Sequence, residues 1–297
     1  MSYEAFMFRK MAARSDAKRD AGLTIPDEVT YIRDLSYGPD KEFHTLDLCY
    51  PKQSSADETG ENGISHKYPL LISFHGGGYV YGSTKIYQFY CADLAKRGFA
   101  VVNFNYRLAP KFRFPAPLED LDMVFSWIGR NADDYPIDPE RVFLVGDSAG
   151  AQLVSQYAAI YTNDEYRELM GFTKPTLKIR AIGLNCGMYD VKKRIAEGGR
   201  GIMRDYLGKH PEQYGEKTDV LKFITSDYLP SYLLSANGDF LKAECEPMAK
   251  FLMEKNVPCE WKIYGDETTG HVFHVNVRDE NGVKANDDEL AFFRKYL

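Results

Sequence analysis

The feature that most constrains this chain is a change of period near residue 146 of its 297 residues. Val142-Phe143-Leu144-Val145 is an unbroken apolar run of the kind found in a strand buried on both faces. Ala151 to Ile160 carries the periodicity of a helix. Only Gly146-Asp147-Ser148-Ala149-Gly150 joins the two. A strand that turns straight into a helix leaves the residue at the bend strained, with its side chain lifted clear of the backbone. Ser148 is therefore a nucleophile candidate. The small residues at 146, 149, 150 and 151 suit that bend, because larger side chains would meet the neighbouring strand or the returning helix. Gly-x-Ser-x-Gly spacing arises by chance in flexible linkers; its place between a strand and a helix is what gives it meaning.

The rest of the chain fits the same plan. Residues 4–20 read as an amphipathic helix, with Met7, Met11 and Ala12 on one face and Arg9, Lys10 and Arg14 on the other. Val29 to Leu35 and Phe43 to Tyr50 alternate apolar with polar residues around Gly38-Pro39-Asp40, which predicts a hairpin at a sheet edge. Lys52 to Lys67 reads as a mobile polar loop. Strands follow at 70–74, 100–105, 179–184, 231–236 and 261–264, with helices between them at 86–97, about 118–128 and 246–255 and a last helix from about 287 to 296. Alternating strands and helices predict an α/β fold with a mostly parallel central sheet and helices on both faces. We expect one domain over 1–297. Residues 188–228 break the rhythm and, with about 1–25, are expected to form a helical cap above the carboxyl ends of the strands.

Composition removes several function classes. A net charge of -6 argues against nucleic acid. No apolar run approaches the roughly 20 residues that cross a bilayer, and the first residues lack the pattern of a secretory signal. Cys49, Cys91, Cys186, Cys245 and Cys259 are odd in number and lack metal-ligand spacing, which predicts free thiols in a reducing, cytoplasmic compartment. Neither a metal nor a cofactor is expected.

A serine hydroxyl needs a base within hydrogen-bond reach, and the base needs an acid to hold its tautomer. Asp239 follows the strand at 231–236 and His271 follows the strand at 261–264, so the order is serine, acid, histidine. Among the six histidines, His44 reads as an edge-strand residue, His66 and His210 as loop residues, and His75 as a packing residue of a glycine loop. His274 is the competitor of His271, since both follow the last strand. Asp266 and Glu267 lie too close to the histidine loop to supply the acid. The glycine loop is His75-Gly76-Gly77-Gly78-Tyr79; without a following Lys-Ser or Lys-Thr it is a poor phosphate cradle, whereas its bare amides suit an oxyanion. Arg107, Glu119 and Asp120, around a proline-stiffened loop, read as structural.

These motifs together resemble the hormone-sensitive-lipase-like family of α/β-hydrolase carboxylesterases over roughly residues 69–275. The resemblance rests on His75-Gly76-Gly77-Gly78, on Tyr106-Arg107-Leu108-Ala109-Pro110 with Phe114-Pro115-Ala116-Pro117-Leu118-Glu119-Asp120, and on Gly146-Asp147-Ser148-Ala149-Gly150. It departs at Ala151, where many relatives carry glycine, and in looser contexts around Asp239 and His271. It implies that Gly77, Gly78 and Ala149 supply oxyanion amides and that Asp239 and His271 complete a triad with Ser148. It implies short-chain ester substrates and a homodimer. Two other readings share these motifs: an amidase of arylformamidase type, and a non-catalytic binding protein on the same fold, for which an intact base has no use.

Overall fold

The computed structural model describes residues 1–52 and 66–297, so all but the ends of the expected 52–67 loop lies outside the described residues. Eight strands form one sheet: β1 (Val29–Ser36), β2 (Thr45–Pro51), β3 (Tyr68–Phe74), β4 (Ala100–Phe104), β5 (Ile137–Asp147), β6 (Ile179–Asn185), β7 (Ser231–Ala236) and β8 (Cys259–Tyr264). Their spatial order is β1-β2-β4-β3-β5-β6-β7-β8. β2 is antiparallel to β1 and β4, and the pairs from β4 through β8 are parallel. The hairpin predicted at the sheet edge is β1 and β2.

Strand side chains alternate between two buried layers. Leu70, Ile72, Val142, Leu144 and Leu233 pack on one side with Leu121 and Val124 of α3 (Ala116–Asn131) and Leu153 and Val154 of α4 (Ala149–Thr162). Leu71, Val101, Phe143, Ala181 and Leu234 pack on the other with Leu94 of α2 (Thr84–Lys96) and with Leu290 and Phe293 of α9 (Glu280–Phe293). Helices on both faces explain why these strands read as continuous apolar runs.

Several details differ from the sequence reading. A short α5 (Asp164–Met170) follows α4, capped by the Asn163 side chain; α8 (Lys242–Glu254) starts four residues earlier than expected. α9 starts at Glu280 because the Asp279 side chain accepts the Gly282 amide, a cap that the polar Asn-Gly sequence hid. Of the apolar face predicted for α1 (Tyr3–Asp20) only Ala12 points inward, with Phe8, Asp16 and Arg19; Met11 is 66% exposed and Met7 37%. Apolar residues lie all round this helix, so polar anchors choose its face. The Ser2 amide and hydroxyl donate to Asp205 at 2.8 and 2.7 Å, Tyr81 donates to Asp16 at 2.8 Å, and Arg19 donates to the Ile86 carbonyl at 2.7 Å.

The chain leaves β3 toward β4 on one side and returns to β5 on the other, so the sheet's direction of winding switches between β3 and β5. Phe74 pairs with Gly146 across that point. The glycine loop and the Ser148 turn therefore leave adjacent carboxyl ends, where open α/β sheets place their ligands.

Candidate active site

Ser148 sits at φ 53° and ψ -114°, between the end of β5 and the first turn of α4. A left-handed backbone at a non-glycine residue is costly and persists only where the surroundings enforce it. Here they do. The Ser148 amide donates to the Asn185 carbonyl at 2.8 Å, and a Cβ at Gly150 would collide with the Phe74 and His75 carbonyls. At Gly146 it would collide with the backbone of Gly150. The glycines of this motif let helix and strands close on each other.

The loop after β3 is held as tightly. Gly77, at φ 109°, could not carry a side chain without striking the Tyr81 carbonyl. The Gly76 amide donates to the Tyr87 hydroxyl at 3.0 Å, and that hydroxyl donates to Asp147 Oδ2 at 2.7 Å. Burial pushes the Asp147 carboxyl up to about 6, with the Tyr87 hydrogen bond opposing. This chain of bonds ties the elbow to the glycine loop. Gly77, Gly78 and Ala149 all line one cavity of about 680 Å³ with Ser148 and His271. Ala149 opens α4, where first-turn amides have no partner inside the helix.

His271 Nδ1 lies 2.7 Å from Asp239 Oδ1. Asp239 also accepts from the Ser235 hydroxyl at 2.7 Å and from the Leu241 amide at 2.8 Å. Burial works to raise its carboxyl, but hydrogen bonding from His271, the charge of His271 and the other two donors outweigh it, so the carboxyl lies below its usual range. Asp239 thus stays ionised and can only accept, which leaves Nδ1 of His271 as the donor. The next residue, Val272, holds φ 52° although it is β-branched, a strain that no sequence signal announced.

The other histidines stand elsewhere. His274 is fully buried with Tyr90 edge-on at 5.5 Å, and burial drives its pKa down to about 3, so it is neutral. His75 stacks on Tyr106 at 4.1 Å and binds the Gly76 carbonyl at 2.8 Å. His44 precedes β2 rather than lying in it and sits 3.2 Å from Asp120. Arg107 binds the same carboxylate through its amide at 2.6 Å and Nε at 2.7 Å, which pins the proline loop. His210 is at the surface beside Glu212, and His66 packs against Tyr68. Asp266 caps its own turn through Thr268.

Among the described residues, the side chains whose metal-binding atoms converge are Cys186, Asp239 and His271, within 4.8 Å of one another. Two of these already bind each other, and burial pushes the Cys186 thiol well above its usual range. The arrangement matches an acid-histidine pair more closely than an open metal site. Among the described residues no helix is long and apolar enough to cross a membrane, and all five cysteines are unpaired.

A family model described as alpha/beta hydrolase fold matches residues 71–275. An acetyl esterase of Salmonella schwarzengrund (strain CVM19633) is 27% identical over 210 residues, which cover 66% of this chain and 62% of that protein. The acetyl esterase of Salmonella agona (strain SL483) is also 27% identical, over 209 residues covering 65% of this chain and 62% of the relative. The match thus spans about 62% of the length of these curated relatives. Among solved structures, esterase B of Lactobacillus rhamnosis inhibited by a tributyrin phosphonate superposes with TM-score 0.85 at 23% identity, covering 98% of this chain and 94% of that one. A hyperthermophilic esterase of Pyrobaculum calidifontis gives 0.74 at 22% identity, covering 99% and 91%. At such identities the structural likeness speaks to the fold.

Proposed function

The chain belongs to the α/β-hydrolase family, in its hormone-sensitive-lipase-like branch, and from that premise we propose that it is a serine hydrolase cleaving short-chain carboxylic esters through an acyl-enzyme intermediate. The observation that carries this reading is the shared cavity: a strained serine, a histidine bound to a buried ionised aspartate, and the glycines of the loop after β3 all line it.

In this reading His271 takes the proton of Ser148 as the hydroxyl attacks the ester carbonyl. The developing oxyanion rests on the amides of Gly77, Gly78 and Ala149. Asp239 holds the imidazole in the tautomer that leaves Nε2 free to accept, and stabilises the imidazolium that forms. The alcohol departs with the proton, and water activated by His271 then releases the acid. The acetyl esterase relatives favour a small acyl group. The roof lent to the cavity by α1 and by Met188, Arg194, Ile202 and Met203 supports the reading of about 1–25 and 188–228 as a cap on one domain. On the resemblance and the unpaired cysteines we also place the protein in the cytoplasm, as a homodimer, which sedimentation would test.

The test is hydrolysis of p-nitrophenyl acetate, butyrate and octanoate beside a formanilide, with wild type and Ser148→Ala. We expect the acetate or butyrate to be fastest and Ser148→Ala to lose at least about 10⁴ in kcat. Equal rates in the two proteins would remove the serine; faster turnover of the formanilide would move the reading to an amidase.

A further inference from the structure

We propose that Phe240 forms a leaving-group subsite at the rim of the cavity, and that the protein prefers esters whose alcohol carries a flat aromatic face. This rests on the serine-hydrolase reading and adds the class of alcohol to it.

The path of the proton fixes where the alcohol lies. An imidazole that takes the serine proton must hand it to the oxygen of the departing alcohol, so that oxygen lies beside His271 while the carbonyl oxygen lies toward Gly77 and Gly78. Whatever flanks His271 on the cavity side therefore touches the alcohol. The Phe240 ring is that neighbour, with its centroid 4.3 Å from the imidazole and the planes inclined at 45°.

Phe240 is also 75% exposed. Of the large apolar side chains exposed among the described residues, it alone lines the cavity. A phenyl ring left in water is unfavourable, and covering it with a ligand face is favourable, most of all with an aromatic one set edge-on or offset. The ring is also carried on a rigid base. Asp239 donates its amide to the Ala236 carbonyl at 3.1 Å, Lys242 donates to the Asp239 carbonyl at 3.0 Å, and Leu241 donates to the Asp239 carboxylate at 2.8 Å. With the backbone on both sides of Phe240 bonded in this way, little ordering is left for the substrate to impose.

Charge disfavours an anionic alcohol, since Glu4 and Asp16 line the cavity and its Arg19 is already held by Asp16 and Asp20. Arg194 is the charged side chain that residues 188–228 contribute to the cavity, and it is engaged by Glu244 at 2.8 Å and Glu197 at 3.3 Å. An anionic alcohol would have to compete with two carboxylates for it. A neutral ring needs no such exchange.

The experiment uses three acetates, benzyl, cyclohexylmethyl and methyl, with wild type, Phe240→Ala, Phe240→Tyr and Ser148→Ala. All three form the same acetyl-enzyme, so deacylation is common and kcat/KM reports the step in which the alcohol leaves. We expect Phe240→Ala to lose about tenfold in kcat/KM on benzyl acetate and less than about twofold on methyl acetate. The wild-type preference for benzyl over cyclohexylmethyl should vanish in Phe240→Ala and persist in Phe240→Tyr. An equal loss on all three esters would make Phe240 a prop for His271 and overturn the subsite, as would no loss on benzyl acetate. Wild type that turns over none of them in a Ser148-dependent way would instead sink the hydrolase reading beneath it, and the subsite with it.

Discussion

The floor and the roof of the cavity are held by different forces. The floor is closed by backbone: at Gly77, Gly146 and Gly150 an added Cβ would strike main-chain atoms, and Ser148 and Val272 sit at positive φ. The roof is held by charges and side chains. Ser2 is clamped to Asp205, Arg19 to Asp16 and Asp20, and Arg194 to Glu244, all within 3.0 Å at their nearest atoms and all part-buried. A floor fixed by excluded volume can hold reacting groups to a fraction of an ångström. A roof held by separate side-chain pairs, each replaceable by water, gives way more easily.

Three measurements sharpen or break that contrast. Asp239→Asn keeps the shape of the floor but offers His271 a neutral partner that can pair with the wrong tautomer, so kcat on p-nitrophenyl acetate should fall by about 10⁴ with little change in KM. A loss below tenfold would mean that the floor does not carry the chemistry.

The second concerns a charge inside the layer behind the elbow. Glu289 is fully buried beside Gly183, and burial raises its carboxyl to about 8, with the Asn185 side chain opposing and the Asp147 charge reinforcing. The folded state therefore binds a proton that the unfolded state has released, and stability falls as pH rises from the unfolded value of a glutamate toward 8. Glu289→Gln removes this slope. Between pH 5 and pH 9 the stability of the variant relative to wild type should improve by about 4 kcal/mol in urea unfolding. Parallel pH profiles would show that the buried carboxyl does not titrate as burial demands.

The smallest effect belongs to the roof. Asp205→Ala releases the start of α1, and we expect KM for p-nitrophenyl butyrate to rise about threefold, kcat to hold and stability to drop by about 1 kcal/mol. Added salt should move KM of the wild type in the same direction, because it screens the remaining clamps. A fall in kcat as large as that of Asp239→Asn would erase the distinction between floor and roof.

Much of the floor was legible residue by residue. The apolar run into Gly146 and the helix after it place Ser148 on its turn, since only a small set of residues fits that bend. The strands between 70 and 236 were legible too, because burial on both faces makes each one continuously apolar. The start of α9 was not, because a single side-chain cap overrides the poor helix propensity of Asn281 and Gly282. Nor was the inward face of α1, whose anchors Asp205, Tyr81 and Ile86 lie more than 60 residues along the chain.

What the amino-acid order determined alone was therefore what local sterics dictate: the alternation of strand and helix, the elbow at Ser148 and the glycine loop of residues 76–78. His271 and His274 are three positions apart on one loop, and no local rule separates them. The strained backbone at Val272 turns the first to Asp239 and the cavity, and packing against Tyr90 and Phe273 sinks the second into the core. That choice, like the exposure of Phe240 beside the imidazole, depends on contacts between segments that only the closed sheet brings together, so tertiary structure had to decide it.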